Sequence, residues 1–205
     1  MTERESLFLV DDNHAVRHAL RLFLESRGFV VHEFSSGEAL LEVIAAGDTG
    51  VIIVDLRLDG MSGLDLQAEL KSRGIDLPTV FITGHGSIRD SVSALKEGAV
   101  DFIEKPFDNE VLLRSINDAL RCEQSLRERR GVKRDLLDRF STLTPREQQV
   151  LSYVVGGISN KSLAEQLGVS SRTIEVHRSR IMTKMGACSL PELVRMALLL
   201  GIMLP

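Results

Sequence analysis

Five short apolar runs, separated by helix-length amphipathic segments, fill the first 120 residues of this 205-residue chain. Their near-continuous apolar and β-branched composition is typical of parallel strands that are covered on both faces. Between them, segments such as residues 15–26 place apolar side chains on one stripe, as amphipathic helices do. This alternation predicts an α/β fold built on an open, doubly wound, five-stranded parallel sheet. The five runs are residues 7–10, 30–31, 51–54, 79–82 and 101–103.

Chemically active side chains follow four of these runs: Asp11 and Asp12 the first, Asp55 the third, Thr83 the fourth and Lys105 the fifth. The carboxyl ends of such strands converge on one edge of the sheet, where ligands bind. Three crowded carboxylates raise one another's pKa unless a cation joins them, and Mg²⁺ is the oxygen-seeking ion expected there. The Lys105 ammonium can pair with a carboxylate or phosphoryl oxygen, and the Thr83 hydroxyl can donate beside it. Each residue alone could be a turn or cap residue, but the combination favours a site.

The formal net charge of −4 conceals an acidic front and a basic back. Residues 1–120 hold 11 Lys and Arg against 21 Asp and Glu, whereas residues 121–140 and 141–205 each hold 7 against 4. This asymmetry indicates two modules with different partners, and DNA is the natural partner of the basic one. A positive excess of this size is also common on ordinary surfaces, so charge alone leaves both interpretations open.

Several classes of protein are disfavoured by what the sequence lacks. The apolar stretches are far shorter than the roughly 20 residues that a spanning helix needs, and residues 1–6 do not resemble a signal peptide. Cys122 and Cys188 lie far apart without metal-ligand spacing, which disfavours a disulfide scaffold and a thiolate zinc site. We therefore expect a cytoplasmic protein without a membrane partner.

From residue 141 onward the pattern becomes helical. Thr144, Pro145 and Glu147 have the spacing of an N-cap, a first-turn proline and the acid of a capping box. Gly168 lies between a short and a longer helical segment, as in a helix-turn-helix. We therefore predict an all-α domain of four helices, which begin near residues 145, 160, 171 and 189.

The third of these helices has two distinct sides. At 100° per residue, Ile174, Ile181 and Met185 share one side and are predicted to face the core. The opposite side carries short, mostly polar or cationic residues flanked by Glu175 and Arg180, which suits a helix placed in a DNA major groove. An ordinary solvated face would give the same pattern. This outward stripe consists of Arg172, Val176, Ser179 and Thr183.

Residues 121–140 connect the two halves and are dense in charge, with sparse apolar residues. This pattern predicts a mostly helical linker that breaks near Gly131, because glycine is a weak helix former. A solvated tether and a contact in a dimer both remain open as roles for it.

These motifs resemble the two domains of a two-component response regulator of the FixJ type. The front half is similar to the receiver domain in residues 8–12, 54–57, 60–63, 82–86 and 101–107, and the last two segments especially resemble the FixJ branch. The back half is similar to the NarL/LuxR-type helix-turn-helix domain in residues 143–151, 160–161, 174–177 and 184–185. The resemblance implies a flavodoxin-like receiver (5–120), a helical linker (121–140) and a LuxR/NarL-type DNA-binding domain (141–205).

For the receiver, the resemblance implies that Asp55 accepts a phosphoryl group from a sensor histidine kinase. Asp12, Asp55 and the backbone carbonyl of Arg57 would bind Mg²⁺, with Asp11 acting through water. The metal and Lys105 would neutralise the oxygens of the transferring group, so that catalysis consists of positioning and charge stabilisation.

The resemblance also implies how phosphorylation is read out. Thr83 would hydrogen-bond the phosphoryl group, Phe102 would turn inward behind it, and the peptide bond before Pro106 would be cis. The bistable face would be residues 87–120, through which the phosphorylated protein would form a homodimer.

For the DNA-binding half, the resemblance implies base contacts from Glu175, Val176 and Ser179. Arg180 and Thr183 lie on or beside the outward stripe and complete the DNA-facing set. His177 is expected to form a structural hydrogen bond. Candidates for phosphate contact are Lys161, Arg172, Thr173, Arg178 and Lys184.

Two residues depart from the receiver pattern. Asp59 stands where the family usually has proline, four residues after the acceptor, and Asn13 replaces a commonly acidic residue. An additional carboxylate at position 59 could alter metal affinity or the lifetime of the phosphoryl group, or point to solvent. Neither change removes a group that the chemistry needs.

The function expected from all of these features is a phosphorylation-activated transcription regulator that binds promoter DNA, with RNA polymerase as a further candidate partner. We expect no enzymatic activity beyond its own phosphorylation and dephosphorylation. One alternative is a Mg²⁺-dependent aspartyl phosphohydrolase with Asp55 as nucleophile, but Arg57 stands where that chemistry needs a second carboxylate. The other alternative is a receiver-controlled protein-interaction module, which the outward stripe and the basic tail weakly oppose.

Overall fold

The computed structural model describes residues 5–84 and 98–202, and the chain divides into two compact units, Met1–Arg127 and Glu128–Pro205. The first unit contains a five-stranded parallel sheet with strand order β2-β1-β3-β4-β5. Its strands are β1 (Ser6–Val10), β2 (Val30–Phe34), β3 (Val51–Asp55), β4 (Thr79–Thr83) and β5 (Asp101–Glu104). The helices α1 (His14–Ser26), α2 (Gly37–Val43) and α3 (Gly63–Ser72) connect the first four strands. The predicted α/β fold is therefore confirmed.

Both faces of the sheet are buried, because alternate residues of each central strand enter two different apolar clusters. One cluster contains Val10, Val54 and Phe81 from β1, β3 and β4, together with side chains from α2 and α3. The other contains Ile53 and Ile82, together with side chains from α1 and the helix that follows β5. A continuous apolar run is what a strand in this position needs, since each buried side chain contributes about 1.5–3 kcal/mol.

A single long helix, α4 (Asn109–Ser141), follows β5 and passes from the first unit into the second. Leu112, Ile116 and Ala119 bury its first part against the sheet, and Leu136 is buried near its end. The expected break near Gly131 is wrong, because the helix continues through that residue. One glycine costs a helix only about 1 kcal/mol relative to alanine, which good helix formers on both sides can offset.

The second unit adds four helices, α5 (Pro145–Val155), α6 (Asn160–Leu167), α7 (Ser171–Met185) and α8 (Leu190–Leu199). Each begins at a side chain that accepts a backbone N–H of its first turn. Gly168 takes a left-handed conformation (φ 64°) between α6 and α7, as the helix-turn-helix pattern predicts. Ile174, Ile181 and Met185 of α7 are fully buried in this unit's core, which confirms the predicted inner side. The four capping residues are Thr144, Ser159, Ser170 and Ser189.

Among the helices that the structure describes, none is long and apolar enough to cross a membrane.

Candidate phosphorylation site and DNA-binding face

The register of the sheet brings the predicted site residues of the first unit to one edge. Val10, the last residue of β1, pairs with Val54, so that Asp11 lies next to the end of β3 and Asp55. Asp55 pairs with Ile82, and the next residue of β4 is Thr83. Thr83 pairs with Glu104 of β5, and its carbonyl oxygen accepts the N–H of Lys105 at 2.6 Å.

The Lys105 ammonium joins two carboxylates at this edge. Its Nζ lies 2.7 Å from Asp55 Oδ2 and 2.9 Å from Asp11 Oδ2. The exposed fraction is 23% for the Lys105 side chain, 12% for Asp55 and 3% for Asp11, so water reaches the pairs only in part, through the lysine. Burial alone would lower the pKa of Lys105, but the hydrogen bonds and charges of Asp55 and Asp11 outweigh it and raise that pKa. Lys105 is therefore a permanent cation in contact with the predicted acceptor.

The remaining carboxylate oxygens accept backbone N–H groups. Asp55 Oδ1 accepts from Arg57 N at 2.9 Å, and Asp11 Oδ1 accepts from Asn13 N at 2.8 Å. The exposed Asp12 accepts from Asp59 N at 3.2 Å through Oδ2. Two of these bonds are local and one spans 47 positions, and together they fix the orientation of the three acids at the strand ends.

The donor chemistry of this edge fits a hard divalent cation. Asp11, Asp12, Asp55 and the carbonyl of Arg57 are oxygen donors, which are the ligands that Mg²⁺ prefers. Within residues 5–84 and 98–202, no three His, Cys, Asp or Glu side chains are spaced to hold a metal ion together. Lys105 bridges two of the acids, and the third turns towards Asp59. The predicted ligand set is thus present at one edge, and its metal binding stays a prediction.

Thr83 and Phe102, the two predicted switch residues, lie on the neighbouring strands β4 and β5. Thr83 is fully buried at the end of β4. Phe102 is half-buried on β5, and its ring centroid lies 6.4 Å from that of Phe81 in the core. The peptide bond between Lys105 and Pro106 is cis, as the resemblance implied. The switch role of the two side chains stays a prediction.

Sequence reasoning missed the residues that support this edge. Asn13 serves as the N-cap of α1, where its side chain accepts the N–H groups of Ala15 and Val16. Gly63 packs so closely that an added Cβ would lie 2.7 Å from the carbonyl oxygen of Asp55. Glu38 of α2 accepts the N–H of Met61 at 3.1 Å. Asn13 could have been recognised as a helix cap, whereas the contacts of Gly63 and Glu38 depend on how the loop after β3 folds back, which no local pattern specifies.

On the second unit, the outward stripe of α7 is solvent-exposed from Arg172 to Thr183. Arg172 is 84% exposed and pairs with Glu175 at 3.1 Å, and Val176 is an exposed apolar residue on this face. Glu175, Arg180 and the remaining stripe residue, Ser179, are exposed as well. The whole predicted base-reading set is therefore accessible on one helix face.

The predicted phosphate-contact residues differ in exposure and in the hydrogen bonds that they form within the protein. Lys161 is exposed and Thr173 is half-buried, whereas Arg178 donates to Asn160 Oδ1 at 2.8 Å and so joins α7 to α6. Lys184 donates to Glu147 Oε2 at 2.7 Å and to the carbonyl oxygen of Thr142 at 3.0 Å. The ammonium of Lys184 thus stabilises the fold in this structure, and its contact with DNA stays a prediction.

The capping box predicted at the start of α5 is confirmed, and its acid, Glu147, also pairs with the Lys184 ammonium. Thr144 Oγ1 accepts from Glu147 N, and Glu147 Oε2 accepts from Thr144 N at 2.9 Å. The hydrogen bond from Lys184, followed by that from the Thr144 backbone, lowers the pKa of Glu147 to about 2. The hydrogen bond expected of His177 is not found at Nδ1, which is buried without a partner among the described residues.

Comparison with protein families covers both units. Residues 7–117 match the family described as "Response regulator receiver domain", and residues 141–197 match "Bacterial regulatory proteins, luxR family". The first matched range contains every predicted residue of the strand-end site, and the second contains every predicted DNA contact.

Individual relatives match along nearly the whole chain. The transcriptional regulatory protein FixJ of Azorhizobium caulinodans is 42% identical over 202 residues, which is 98% of this chain and 96% of that protein. The solved structure of the response regulator StyR is 40% identical, has a TM-score of 0.77 and covers 95% of this chain and 98% of its own. Full-length FixJ from B. japonicum is 38% identical, with a TM-score of 0.59 and coverage of 98% and 100%.

Proposed function

The chain belongs to the response regulators that join a receiver domain to a LuxR-type DNA-binding domain, and we propose that Asp55 is its phosphorylated residue. The protein is a phosphorylation-dependent transcriptional regulator, and its family implies a sensor kinase and DNA as partners. The observation that carries the assignment of Asp55 is the Lys105 ammonium, which contacts both Asp55 and Asp11 at the carboxyl edge of the sheet.

In the proposed reaction, a carboxylate oxygen of Asp55 bonds to the phosphorus of a phosphohistidine on the sensor kinase while the P–N bond breaks. The imidazole, whose other ring nitrogen carries a proton, leaves as the neutral base with the electron pair of the P–N bond, and the acyl phosphate stays on Asp55. Lys105 then neutralises a phosphoryl oxygen from the position where it now contacts Asp55. Such catalysis consists of positioning and charge stabilisation, since the protein supplies no other covalent group.

Receiver domains generally use Mg²⁺ in this reaction. In this chain Asp12, Asp55 and the carbonyl of Arg57 would hold the ion, with Asp11 acting through water. When bound, the ion supplies positive charge to the phosphoryl oxygens. The carboxylates of the three acids are oriented by the backbone N–H groups that they accept.

The proposed switch consists of Thr83 and Phe102, whose roles the resemblance to receiver domains implies. The Thr83 hydroxyl would turn to the phosphoryl group on Asp55, and Phe102 would move into the space behind it, next to Phe81. This change would bias the face of residues 87–120, through which the phosphorylated protein dimerises. Residues 87–97 of that face lie outside the described part of the chain.

The dimer would place α7 in the major groove of promoter DNA, with RNA polymerase as a further partner. Glu175, Val176 and Ser179 would face the bases, and the cations around them would contact phosphates. In the free protein, Arg172 and Glu175 form an exposed ion pair. On DNA this pair would separate, so that Arg172 contacts a phosphate and Glu175 a base.

We propose no catalytic turnover on other substrates. Arg57 stands where an aspartyl phosphohydrolase needs a second carboxylate, and its side chain is exposed. The chemistry is therefore restricted to phosphorylation of Asp55 and the loss of that phosphoryl group.

The test measures molecular mass and promoter-DNA affinity before and after treatment with acetyl phosphate or beryllofluoride in the presence of Mg²⁺. We expect a change from monomer to dimer and tighter specific DNA binding, and neither change in Asp55→Asn. Acid-labile phosphate retained on Asp55→Asn would reject the assignment of the acceptor. An unchanged mass and affinity, despite confirmed modification of Asp55, would reject the proposed switch.

A further inference from the structure

The loop between β3 and α3, residues 56–62, is held by carboxylates from two other elements. We refer to it as the acceptor loop because it directly follows Asp55. Asp59 N donates to Asp12 Oδ2 at 3.2 Å, and Met61 N donates to Glu38 Oε1 at 3.1 Å. The position of the acceptor loop therefore depends on two hydrogen bonds that join it to distant parts of the chain.

The first of these bonds depends on the identity of residue 59. Proline, which the family usually has at this position, carries no N–H and could not donate to Asp12. Asp12 is exposed, and Asp59 N is the donor that fixes one of its carboxylate oxygens. A hydrogen bond to a metal-ligating carboxylate sets its orientation, and its loss typically lowers metal affinity about 10–100-fold.

The second bond is supported by the geometry around Glu38. Gly60 has φ of 89°, and an added Cβ there would lie 3.1 Å from Glu38 Oε1. The glycine thus lets the carboxylate approach the backbone closely enough to accept from Met61. Hydrogen bonds from the backbone of Glu38, from Ser36 and from Met61 lower the pKa of Glu38, so it is a charged acceptor at neutral pH.

The end of the acceptor loop packs against Asp55, so a displacement of the loop would also move Asp55. Gly63 N donates to the carbonyl oxygen of Leu56 at 3.0 Å, which closes the loop at its base. An added Cβ at Gly63 would lie 2.7 Å from the carbonyl oxygen of Asp55, so there is no space between the end of the loop and the acceptor residue.

We propose that Asp59 and Glu38 are positioning residues for the phosphorylation of Asp55. Asp59 acts through its backbone N–H, which orients the Asp12 carboxylate towards the cation, and Glu38 anchors the acceptor loop through Met61. The side-chain carboxylate of Asp59 is not needed for this role. The inference rests on the proposed function, because it assumes that Asp12 and Asp55 bind Mg²⁺.

The experiment compares Asp59→Pro, which removes the N–H, with Asp59→Ala, which keeps it. The Kd for Mg²⁺ is measured by isothermal titration calorimetry on the full chain, without a phosphoryl donor. We expect Asp59→Pro to weaken Mg²⁺ binding about tenfold and Asp59→Ala to change it less than about threefold. Equal Kd values for the two variants would overturn the role of the N–H.

A second pair of variants tests Glu38 in the same assay. Glu38→Ala removes the acceptor of Met61 N, whereas Glu38→Gln keeps an amide oxygen that can accept it. We expect weaker Mg²⁺ binding and slower phosphorylation by acetyl phosphate in Glu38→Ala, with both restored in Glu38→Gln. Identical behaviour of these two variants would overturn the role of Glu38.

If Asp59→Pro does not fold, amide hydrogen exchange tests the hydrogen bond from Asp59 N to Asp12 without that variant. The Asp59 amide should exchange at least about tenfold more slowly in the wild type than in Asp12→Ala, because only the wild type offers the acceptor. Equal exchange rates would overturn the proposal. Absence of Mg²⁺ binding by the wild type would instead overturn the metal site in the proposed function, so the two failures can be told apart.

Discussion

Lys184, in the last turn of α7, donates to the carboxylate of Glu147 at 2.7 Å and so connects the proposed DNA-reading helix to the capping box of α5. Glu147 is almost fully buried, whereas Lys184 is partly exposed. The same carboxylate oxygen accepts the N–H of Thr144. One acid thus caps α5 and fixes the C-terminal end of α7.

This arrangement predicts a loss of stability in acid. Because the pKa of Glu147 is lowered from 4.5 to about 2, its contribution is complete above pH 4.5 and is lost as the pH falls towards 2. Glu147→Gln should destabilise the second unit by about 1–2 kcal/mol at pH 7. In thermal unfolding followed by circular dichroism, the difference from wild type should shrink below pH 4.5. The exposed Glu165→Gln is the control, and an effect of the same size in it would contradict the prediction.

Removing the positive charge of Lys105 at the sheet edge should make the stability of the protein depend on added Mg²⁺. Lys105→Met leaves the Asp11 and Asp55 carboxylates without their shared partner, which should cost about 1–2 kcal/mol at neutral pH, since the pair is partly solvent-accessible. Mg²⁺ should then raise the Tm of the variant more than that of the wild type. An equal increase in both proteins would show that Mg²⁺ does not replace the lysine charge.

The pKa of Lys105 gives a matching prediction at high pH. Because this pKa is raised, the lysine's contribution to stability is complete below its ordinary value of about 10.4 and is lost only as the pH rises through the folded value. The stability difference between wild type and Lys105→Met should therefore be constant from pH 7 to 9. Chemical unfolding at several pH values measures this difference in stability. A difference that vanishes between pH 7 and 9 would contradict the raised pKa of Lys105.

The DNA-facing residues of α7 predict a separation between base reading and phosphate contact. Val176→Ala with Ser179→Ala should change the preference among promoter sequences more than the salt dependence of binding. Lys161→Gln should instead weaken binding to all DNA sequences alike and reduce the slope of log affinity against log salt by about one. Binding titrations at stepped salt on two DNA sequences separate the two effects. Uniform weakening by the double variant would mean that the reading face is wrongly placed.

The continuity of α4 at Gly131 predicts a stabilising substitution. Outside its own helix turn, no atom of the described residues lies within 4 Å of a Cβ added there, and the residue is inside the helix. Gly131→Ala should therefore stabilise the chain by about 0.5–1 kcal/mol, because alanine has the higher helix propensity. Denaturant unfolding measures the change, and a loss of stability would indicate a conformation at residue 131 that only glycine adopts.

Much of the site could be predicted because the strand ends of a parallel sheet meet at one edge. Once the apolar runs were assigned as strands, Asp11, Asp55, Thr83 and Lys105 had to converge, and the structure places them so. The capping box was equally predictable, since Thr144 and Glu147 are three residues apart. The sequence pattern misplaced a helix end at Gly131, where flanking helix formers outweigh a local preference.

The sequence by itself determined the parallel sheet, the order of its chemically active residues and the two sides of α7, because these follow from periodicity and from neighbours within a few positions. Only the tertiary structure decided which atoms meet. Lys105 reaches Asp11 across 94 positions, Lys184 reaches Glu147 across 37, and Asp59 donates to Asp12 across 47. Such contacts depend on how packed elements bring side chains within about 3 Å, and no local pattern encodes that distance.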